Sequence, residues 1–283
     1  MKKSNQYRGI LFLLQVLYAI LVIAYIPLPC IGGVLDLPAG ARPVSLGGAY
    51  TAVIGSPEVI YFNPASLSAS HIFNVSFFVT HLFQMKELQY AAAAVNVPCA
   101  LGNMGLAFKA FGNSLYRENS AGLGWACSPV SNIHCGLVVK LQELRIKDYG
   151  SEGMWLLDLG VLFNISETVM MGGVVTNLRE SSDSAYQKSV PLTCRSGLSW
   201  YIVPDFLLCL DLVWRENIQP DYRWGGEFTL GKQCWVRLGM EESPPCISSG
   251  IGLKWKTMRI DYAVRFHNYL GPTHYGSLSF ALR

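Results

Sequence analysis

The chain has 283 residues, of which 51% are hydrophobic and only 14% are charged. Soluble domains carry roughly 25% charged residues, so this composition is too apolar for an ordinary soluble enzyme. The formal net charge is +3, but three of the 22 basic residues (Lys2, Lys3 and Arg8) lie at the N-terminus, and the others equal the 19 acidic residues in number. This balance gives no reason to expect nucleic acid as a partner.

The first 33 residues have the pattern of a secretory signal peptide. The three N-terminal basic residues precede an apolar stretch from residue 9 to residue 26, and two glycines at 32–33 offer a small-residue cleavage zone. We therefore predict that residues 1–33 direct export. Two alternatives stay open: the apolar stretch is nearly long enough for an uncleaved membrane anchor, and Cys30 permits a lipoprotein, although the residues before it match a lipobox poorly.

Residues 34–70 form a glycine-rich segment with almost no charge, placed before the first strand-like run. Glycines allow close packing and backbone rearrangement. The segment ends in an Asn-Pro-Ala turn, in which proline stiffens the backbone and the asparagine side chain is suited to capping backbone groups. The turn either takes part in gating or only anchors the segment. The predicted gating residues are Gly47, Gly48, Asn63, Pro64 and Ala65.

From residue 71 to the end, apolar and polar residues alternate with period two between short turns rich in Gly, Pro, Asn and Ser. This alternation is the signature of strands with one apolar face. About fourteen such runs occupy residues 71–283, at roughly fifteen residues for each strand and its turn. No helix-length amphipathic run separates them, which disfavours alternating strands and helices. We predict an all-β fold, a transmembrane antiparallel β-barrel of about 14 strands.

Aromatic residues cluster at the ends of the predicted strands, as in the interfacial girdle of a membrane barrel. The alternative is a soluble β-sandwich with these rings in its core. The number of strands without edge protection, and the charges on their inner faces, disfavour the sandwich. The aromatic residues concerned are Trp155, Phe163, Trp200, Tyr201, Trp214, Trp224 and Trp235.

If the apolar face of each strand meets lipid, the opposite face lines the lumen and carries charges of both signs, among them Lys109, Asp211 and Arg237. These charges either form a structural network of ion pairs, because an isolated buried charge is costly, or they bind the carboxylate of a ligand through bidentate arginine contacts. The candidates for ligand binding are Arg195, Arg223, Arg237, Arg259 and Arg265.

Signatures of catalysis and metal binding are missing from the sequence. The five histidines are scattered without metal-ligand spacing, and neither a G-x-S-x-G elbow nor a phosphate-binding glycine loop occurs. No two of the eight cysteines form a CxxC motif, and no disulfide is demanded. We predict a protein that is not an enzyme and has no cofactor or metal. An outer-membrane lipase is the alternative, and it would need a Ser/His/acid constellation in space.

Several motifs, each weak alone, occur in an order and spacing that resemble one family of barrels. They are the glycine-rich segment ending at residues 63–65, the run WLLDLG at 155–160, the run GGVVTNL at 172–178, and Leu-Gly at 270–271 before the terminal strand. The chain resembles the FadL-type outer-membrane barrels, and within them the branch that includes PorV and PorQ. The resemblance covers nearly the whole mature chain.

The resemblance implies a bacterial outer-membrane barrel whose N-terminal segment folds inside as a hatch. It implies uptake of hydrophobic compounds such as long-chain fatty acids, which shift the hatch and leave through the lumen or a lateral gap. The implied partners are outer-membrane lipid, the hydrophobic ligand and the barrel assembly machinery. The alternative is a PorV-like component of a secretion or surface-attachment system without small-molecule transport. Two features depart from the family: long outer loops are lacking, and the last residue is Arg283 rather than an aromatic residue.

Overall fold

The computed structural model describes residues 37–179, 190–216 and 218–282. Within these ranges fourteen antiparallel strands close into one barrel, in which each strand pairs with its neighbours in sequence and the last pairs with the first. Closure removes the free edges that an open sheet would expose. The predicted all-β barrel of fourteen strands is therefore confirmed, whereas the predicted signal peptide lies outside the described residues.

The strands contain 8 to 15 residues, enough to cross a bilayer when tilted. The sequence pattern predicts turns at residues 148–153 and 268–272, and both are shorter in the structure, because the sixth strand already begins at Gly150 and the last at Gly271. Among the described residues, no helix is both long and apolar enough to cross a membrane. The strands are β1 (Phe73–His81), β2 (Gln89–Cys99), β3 (Gly102–Gly112), β4 (Tyr116–Val130), β5 (Ile133–Ile146), β6 (Gly150–Asn164), β7 (Val169–Leu178), β8 (Thr193–Val203), β9 (Phe206–Arg215), β10 (Ile218–Leu230), β11 (Cys234–Glu241), β12 (Cys246–Trp255), β13 (Met258–His267) and β14 (Gly271–Leu282).

The two faces of the wall differ in polarity. In β13, the outward side chains of Ile260 and Tyr262 are about half exposed, whereas the inward Asp261 is buried. The same alternation covers the outside with exposed Leu, Val, Phe and Trp side chains, and such a surface is suited to hydrocarbon.

Five of the seven residues of the predicted aromatic girdle face outward, as a girdle requires. Tyr201 and Trp235 do not belong to it. They share the parity of the inward Arg195 and Arg237 in their strands, and Tyr201 packs against the core. The period-two pattern therefore decides the direction of a ring more reliably than its position near a strand end.

Residues 37–70, here called the inner segment, pack against the inward face of the wall. They contain helix α1 (Ala41–Ser45) and two 3₁₀ helices, Pro57–Tyr61 and Pro64–Ala69. Helix α1 contacts β11–β14, the first 3₁₀ helix contacts β1–β3, and the second contacts β3–β6. The side chains from residue 39 to residue 53 are all buried, and the apolar core lies between this segment and the wall.

Candidate functional site

Inward-facing glycines of the strands make room for the inner segment. A Cβ atom at Gly136 in β5 would lie 2.5 Å from the backbone nitrogen of Ala65, and one at Gly225 in β10 would lie 2.5 Å from the carbonyl oxygen of Leu46. In both cases the obstacle is backbone, which cannot rotate away as a side chain end does. The glycines therefore allow the segment to lie directly on the wall, where any larger residue would displace it.

Two adjacent glycines of β7 provide a matched test of this packing. Replacing Gly172 by alanine should destabilise the barrel by about 1–3 kcal/mol, because its Cβ would lie 2.5 Å from the carbonyl oxygen of Thr51. Gly173 faces outward, and its Cβ would make an ordinary 3.5 Å contact with Val161, so Gly173→Ala is the control. Guanidinium unfolding of the refolded barrel measures both. Equal stability of the two variants would contradict this packing.

Asn63 joins two parts of the inner segment to the wall. Its side-chain oxygen accepts a hydrogen bond from the backbone nitrogen of Ala65 at 3.1 Å, as expected of a cap. Its side-chain nitrogen donates to the carbonyl oxygens of Thr51 and of Val161 in β6, both at 2.9 Å. Pro64 begins the second 3₁₀ helix directly after this cap. These contacts anchor the turn, while its predicted role in gating stays a prediction.

Gly47 and Gly48 lie against a different part of the wall from Asn63, namely β11 and β10 rather than β6. Their φ angles are 64° and 74°, in the left-handed region that favours glycine. A Cβ at Gly47 would lie 2.6 Å from the backbone of Met240, and one at Gly48 would lie 2.7 Å from the Arg223 guanidinium. The structure therefore divides the predicted gating residues between two separate contacts of the inner segment.

Asp211 of β9 holds the middle of the inner segment. Its Oδ2 atom accepts hydrogen bonds from the backbone nitrogens of Tyr50 (2.9 Å) and Thr51 (3.0 Å) and from the Thr51 hydroxyl (2.6 Å). Sequence reasoning placed Asp211 on the inward face but did not find this role. A carboxylate at an inward position is the only signal that the sequence offers for it.

Arg237 lies at the centre of a buried network of ion pairs. Its guanidinium lies 2.8 Å from Asp261 and 2.5 Å from Glu227. Arg42 of helix α1 binds both oxygens of the same Glu227, at 2.9 and 2.8 Å, in the bidentate geometry that gives strong contacts. The network therefore connects the inner segment to β10, β11 and β13.

Arg223 and Arg265 belong to a second set of buried ion pairs. Arg223 lies 2.7 Å from Asp221 and 2.8 Å from Glu241, and Arg265 also pairs with Glu241. Arg223, Arg265 and Arg237 therefore have the ion-pair contacts of a structural network, which is one of the two interpretations of the inward-facing charges. Whether these arginines also bind a ligand stays a prediction.

The remaining two predicted arginines have different surroundings. Arg259 pairs with Asp261 at 2.9 Å, and its guanidinium lies 4.3 Å from the centre of the Trp235 ring. Arg195 lies 5.8 Å from the centre of the Phe62 ring and lines an interior cavity. Of the five, Arg195 alone lines one of the three cavities described next.

The largest of these cavities lies in the wall and has a volume of about 530 Å³. Phe77 and Phe108, each about half exposed on the outer face, flank it. On β2, β3 and β4, six of the residues that line the cavity have small side chains. The small residues are Ala91, Ala92, Ala93, Ala110, Ser120 and Ala121.

Two smaller cavities lie in the interior, behind the wall cavity. Each has a volume of about 40 Å³, room for a few water molecules. Lys109 lines all three cavities. The inner segment therefore fills most of the space behind the wall cavity, and a larger molecule would pass only if this segment moved.

Tyr61 of the inner segment lies between the wall cavity and the interior. Its hydroxyl lies 2.6 Å from the carbonyl oxygen of Ala93 and 3.0 Å from that of Phe108, which are opposite residues of β2 and β3. The Lys109 ammonium lies 4.8 Å from the centre of its ring. Burial raises the pKa of the Tyr61 hydroxyl, which therefore stays protonated and able to donate. Nothing in the sequence pattern pointed to this residue.

No protein-family model and no curated protein sequence matches this chain. Solved structures do match it. The Pseudomonas putida toluene transporter TodX has a TM-score of 0.66 at 10% identity, covering 88% of this chain and 98% of that chain. The Ralstonia pickettii toluene transporter TbuX has a TM-score of 0.64 at 11% identity, covering 88% and 98%.

A Pseudomonas aeruginosa FadL homologue is similar to the same extent, with a TM-score of 0.63 at 11% identity over 86% of this chain and 97% of that chain. Identities this low show the fold. The chain has the fold of the FadL-type barrels, as its motifs predicted. The closer resemblance to the PorV-like branch stays a prediction.

Proposed function

We propose that the protein is an outer-membrane channel for the uptake of hydrophobic compounds, with long-chain fatty acids as its substrate class. The observation that carries this proposal is the wall cavity, which opens on the outer face and has Tyr61 behind it. Its volume of about 530 Å³ is typical of small-molecule sites. The two toluene transporters that share the fold support a hydrophobic substrate.

The charges of the interior cavities favour a carboxylate over a neutral hydrocarbon. Three basic residues, Lys109, Lys140 and Arg195, line them, and one acidic residue, Asp158, does so. Asp158 pairs with Lys140 at 2.8 Å, and the basic side chains that line these cavities outnumber the acidic ones. An anionic head group gains from such an excess, because electrostatic attraction is strong where water is scarce. The apolar tail would then occupy the wall cavity.

In this mechanism the ligand competes with the inner segment for space. Tyr61 contacts the carbonyl groups of the strands that border the wall cavity. A ligand that draws Lys109 away from the Tyr61 ring would weaken the attachment of Tyr61 to the wall and let the inner segment shift. Passage then follows through the wall or through the lumen, and the inner segment closes the path again afterwards.

Uptake by liposomes containing the refolded protein tests the proposal. We expect saturable uptake of a long-chain fatty acid and weaker uptake of toluene. Tyr61→Phe should raise the rate of uptake severalfold, because it removes the hydroxyl but keeps the ring under Lys109. Tyr149→Phe is the control, since Tyr149 is 89% exposed. A folded barrel that takes up neither compound would contradict the proposal.

The filled interior favours a second candidate function, that of a PorV-like component of a secretion or surface-attachment system. Both interior cavities are only about 40 Å³ in volume, and the buried ion pair of Arg42 with Glu227 holds the inner segment to the wall. A protein with this function would fold into the same barrel but would pass no lipid. The uptake experiment therefore distinguishes the two functions.

A further inference from the structure

Three cysteines lie in one row on the outer face, at the end of the barrel where the inner segment joins β1. Cys127 in β4 and Cys135 in β5 are direct partners across the two strands. Cys99 in β2 lies in the same row, with Gly102 of β3 between it and Cys127. All three are free thiols in the structure, and both partners are half-buried.

The spacing of Cys127 and Cys135 suits a covalent link. In the same ladder the backbone nitrogen of Lys147 donates to the carbonyl oxygen of Leu115 at 2.8 Å. Opposite residues of an antiparallel ladder alternate between hydrogen-bonded and non-hydrogen-bonded pairs. Cys127 and Cys135 lie an even number of residues along the two strands from Leu115 and Lys147, so they are also a hydrogen-bonded pair, whose Cα atoms are about 5.5 Å apart. Disulfides join residues whose Cα atoms are about 4.4–6.8 Å apart.

Cys99 lies too far away to compete for Cys127. The two residues are separated by two strand spacings, which amount to about 9.5 Å, beyond the reach of a disulfide. Within the described part of the chain, Cys135 is therefore the partner for Cys127. We propose that Cys127 and Cys135 form a reversible cross-strand disulfide, a modification site that does not depend on what the barrel transports.

The link would lie beside a contact that holds the inner segment. Ser128 follows Cys127 and His134 precedes Cys135, and both side chains point inward. The His134 ring nitrogen Nδ1 lies 2.6 Å from the Ser128 hydroxyl and 2.8 Å from the hydroxyl of Ser68 in the inner segment. The register of the ladder shifts directly after Cys127. A disulfide would therefore fix the last regular pair of strands next to the point where Ser68 is held.

The chemistry is a two-electron oxidation. The two thiols lose two protons and two electrons and form one sulfur–sulfur bond. The oxidant is a protein disulfide, which is reduced to two thiols through a mixed disulfide. Exported proteins meet such oxidants, whereas cytosolic proteins do not. The hydrogen-bonded pair holds its side chains wider apart than a relaxed disulfide needs, and strain of this kind makes a disulfide easier to reduce.

Mass spectrometry tests the link in the full-length protein isolated under oxidising conditions. Trypsin cleaves after Arg117 and Lys140 and releases both cysteines in one peptide. After maleimide treatment in denaturant, this peptide should be unlabelled and two hydrogens lighter, and it should take two labels once reduced. The exposed Cys99 should be labelled without reduction. Labelling of both cysteines before reduction would overturn the proposal.

Single variants separate the link from a general effect of cysteine loss. Cys127→Ser and, independently, Cys135→Ser should each leave the remaining thiol of the pair labelled without reduction, whereas Cys194→Ser should leave the link intact. A reductant should speed proteolysis of the inner segment severalfold in the wild type and in Cys194→Ser but not in the other two. An equal effect of the reductant on all four proteins would overturn the proposed effect on the inner segment.

Discussion

Replacing Glu227 by alanine should lower the free energy of unfolding by about 3–5 kcal/mol, the range measured when one partner of a buried ion pair is removed. Glu227 binds Arg42 through both oxygens and Arg237 through one, and Arg259 lies 3.8 Å away. Without the carboxylate, three guanidinium groups would repel one another in an interior that offers little water. The ion pair that connects helix α1 to the wall would also be lost.

Guanidinium unfolding of the barrel refolded into vesicles measures this effect. Glu167→Ala is the control, because Glu167 is exposed in the turn between β6 and β7, where a substitution changes stability by less than about 0.5 kcal/mol. Glu227→Gln keeps the size of the side chain and should be intermediate. If Glu227→Ala proved as stable as the control, the network would not hold the inner segment.

Replacing Asp211 by alanine should have the next largest effect. The carboxylate accepts three hydrogen bonds, two of them from the backbone nitrogens of Tyr50 and Thr51. A buried donor left without a partner costs about 1–3 kcal/mol, so the loss should be on the order of 3 kcal/mol. The middle of the inner segment would also become accessible to protease.

Unfolding and limited proteolysis of the inner segment together measure the Asp211 variant. Asp211→Asn keeps one acceptor oxygen at this position and should lose less than the alanine variant. Asp205→Ala is the control, because Asp205 is exposed in the turn between β8 and β9. The account would be contradicted by an Asp211→Ala protein whose inner segment resists protease as well as that of the control.

The barrel was predictable because its main determinant is local. A period-two pattern in each strand assigns every side chain to one face, which is why Lys109, Asp211 and Arg237 were correctly placed on the inward side. Some ion pairs follow from the same pattern, since a short turn after β10 brings Glu227 opposite Arg237. In such a hairpin, sequence spacing alone fixes the register.

The contacts of the inner segment were not predictable in this way. Arg42 reaches Glu227 across 185 positions of sequence, and no periodic pattern relates the two. Tyr61 likewise binds carbonyl groups of β2 and β3. Because these partners are backbone atoms, the side-chain types in the sequence do not indicate the contact. The wall cavity arises because small residues on β2, β3 and β4 come side by side, a consequence of register over three strands.

Filling the wall cavity tests the proposed function most directly. Ala121→Trp places a large ring in the cavity, whereas Val236→Trp places the same ring on the outer face of β11. In liposomes, we expect saturable uptake of a long-chain fatty acid by the wild type and by Val236→Trp, and loss of most uptake by a folded Ala121→Trp protein. Equal uptake by all three proteins, or no uptake by any of them, would contradict passage through the wall cavity.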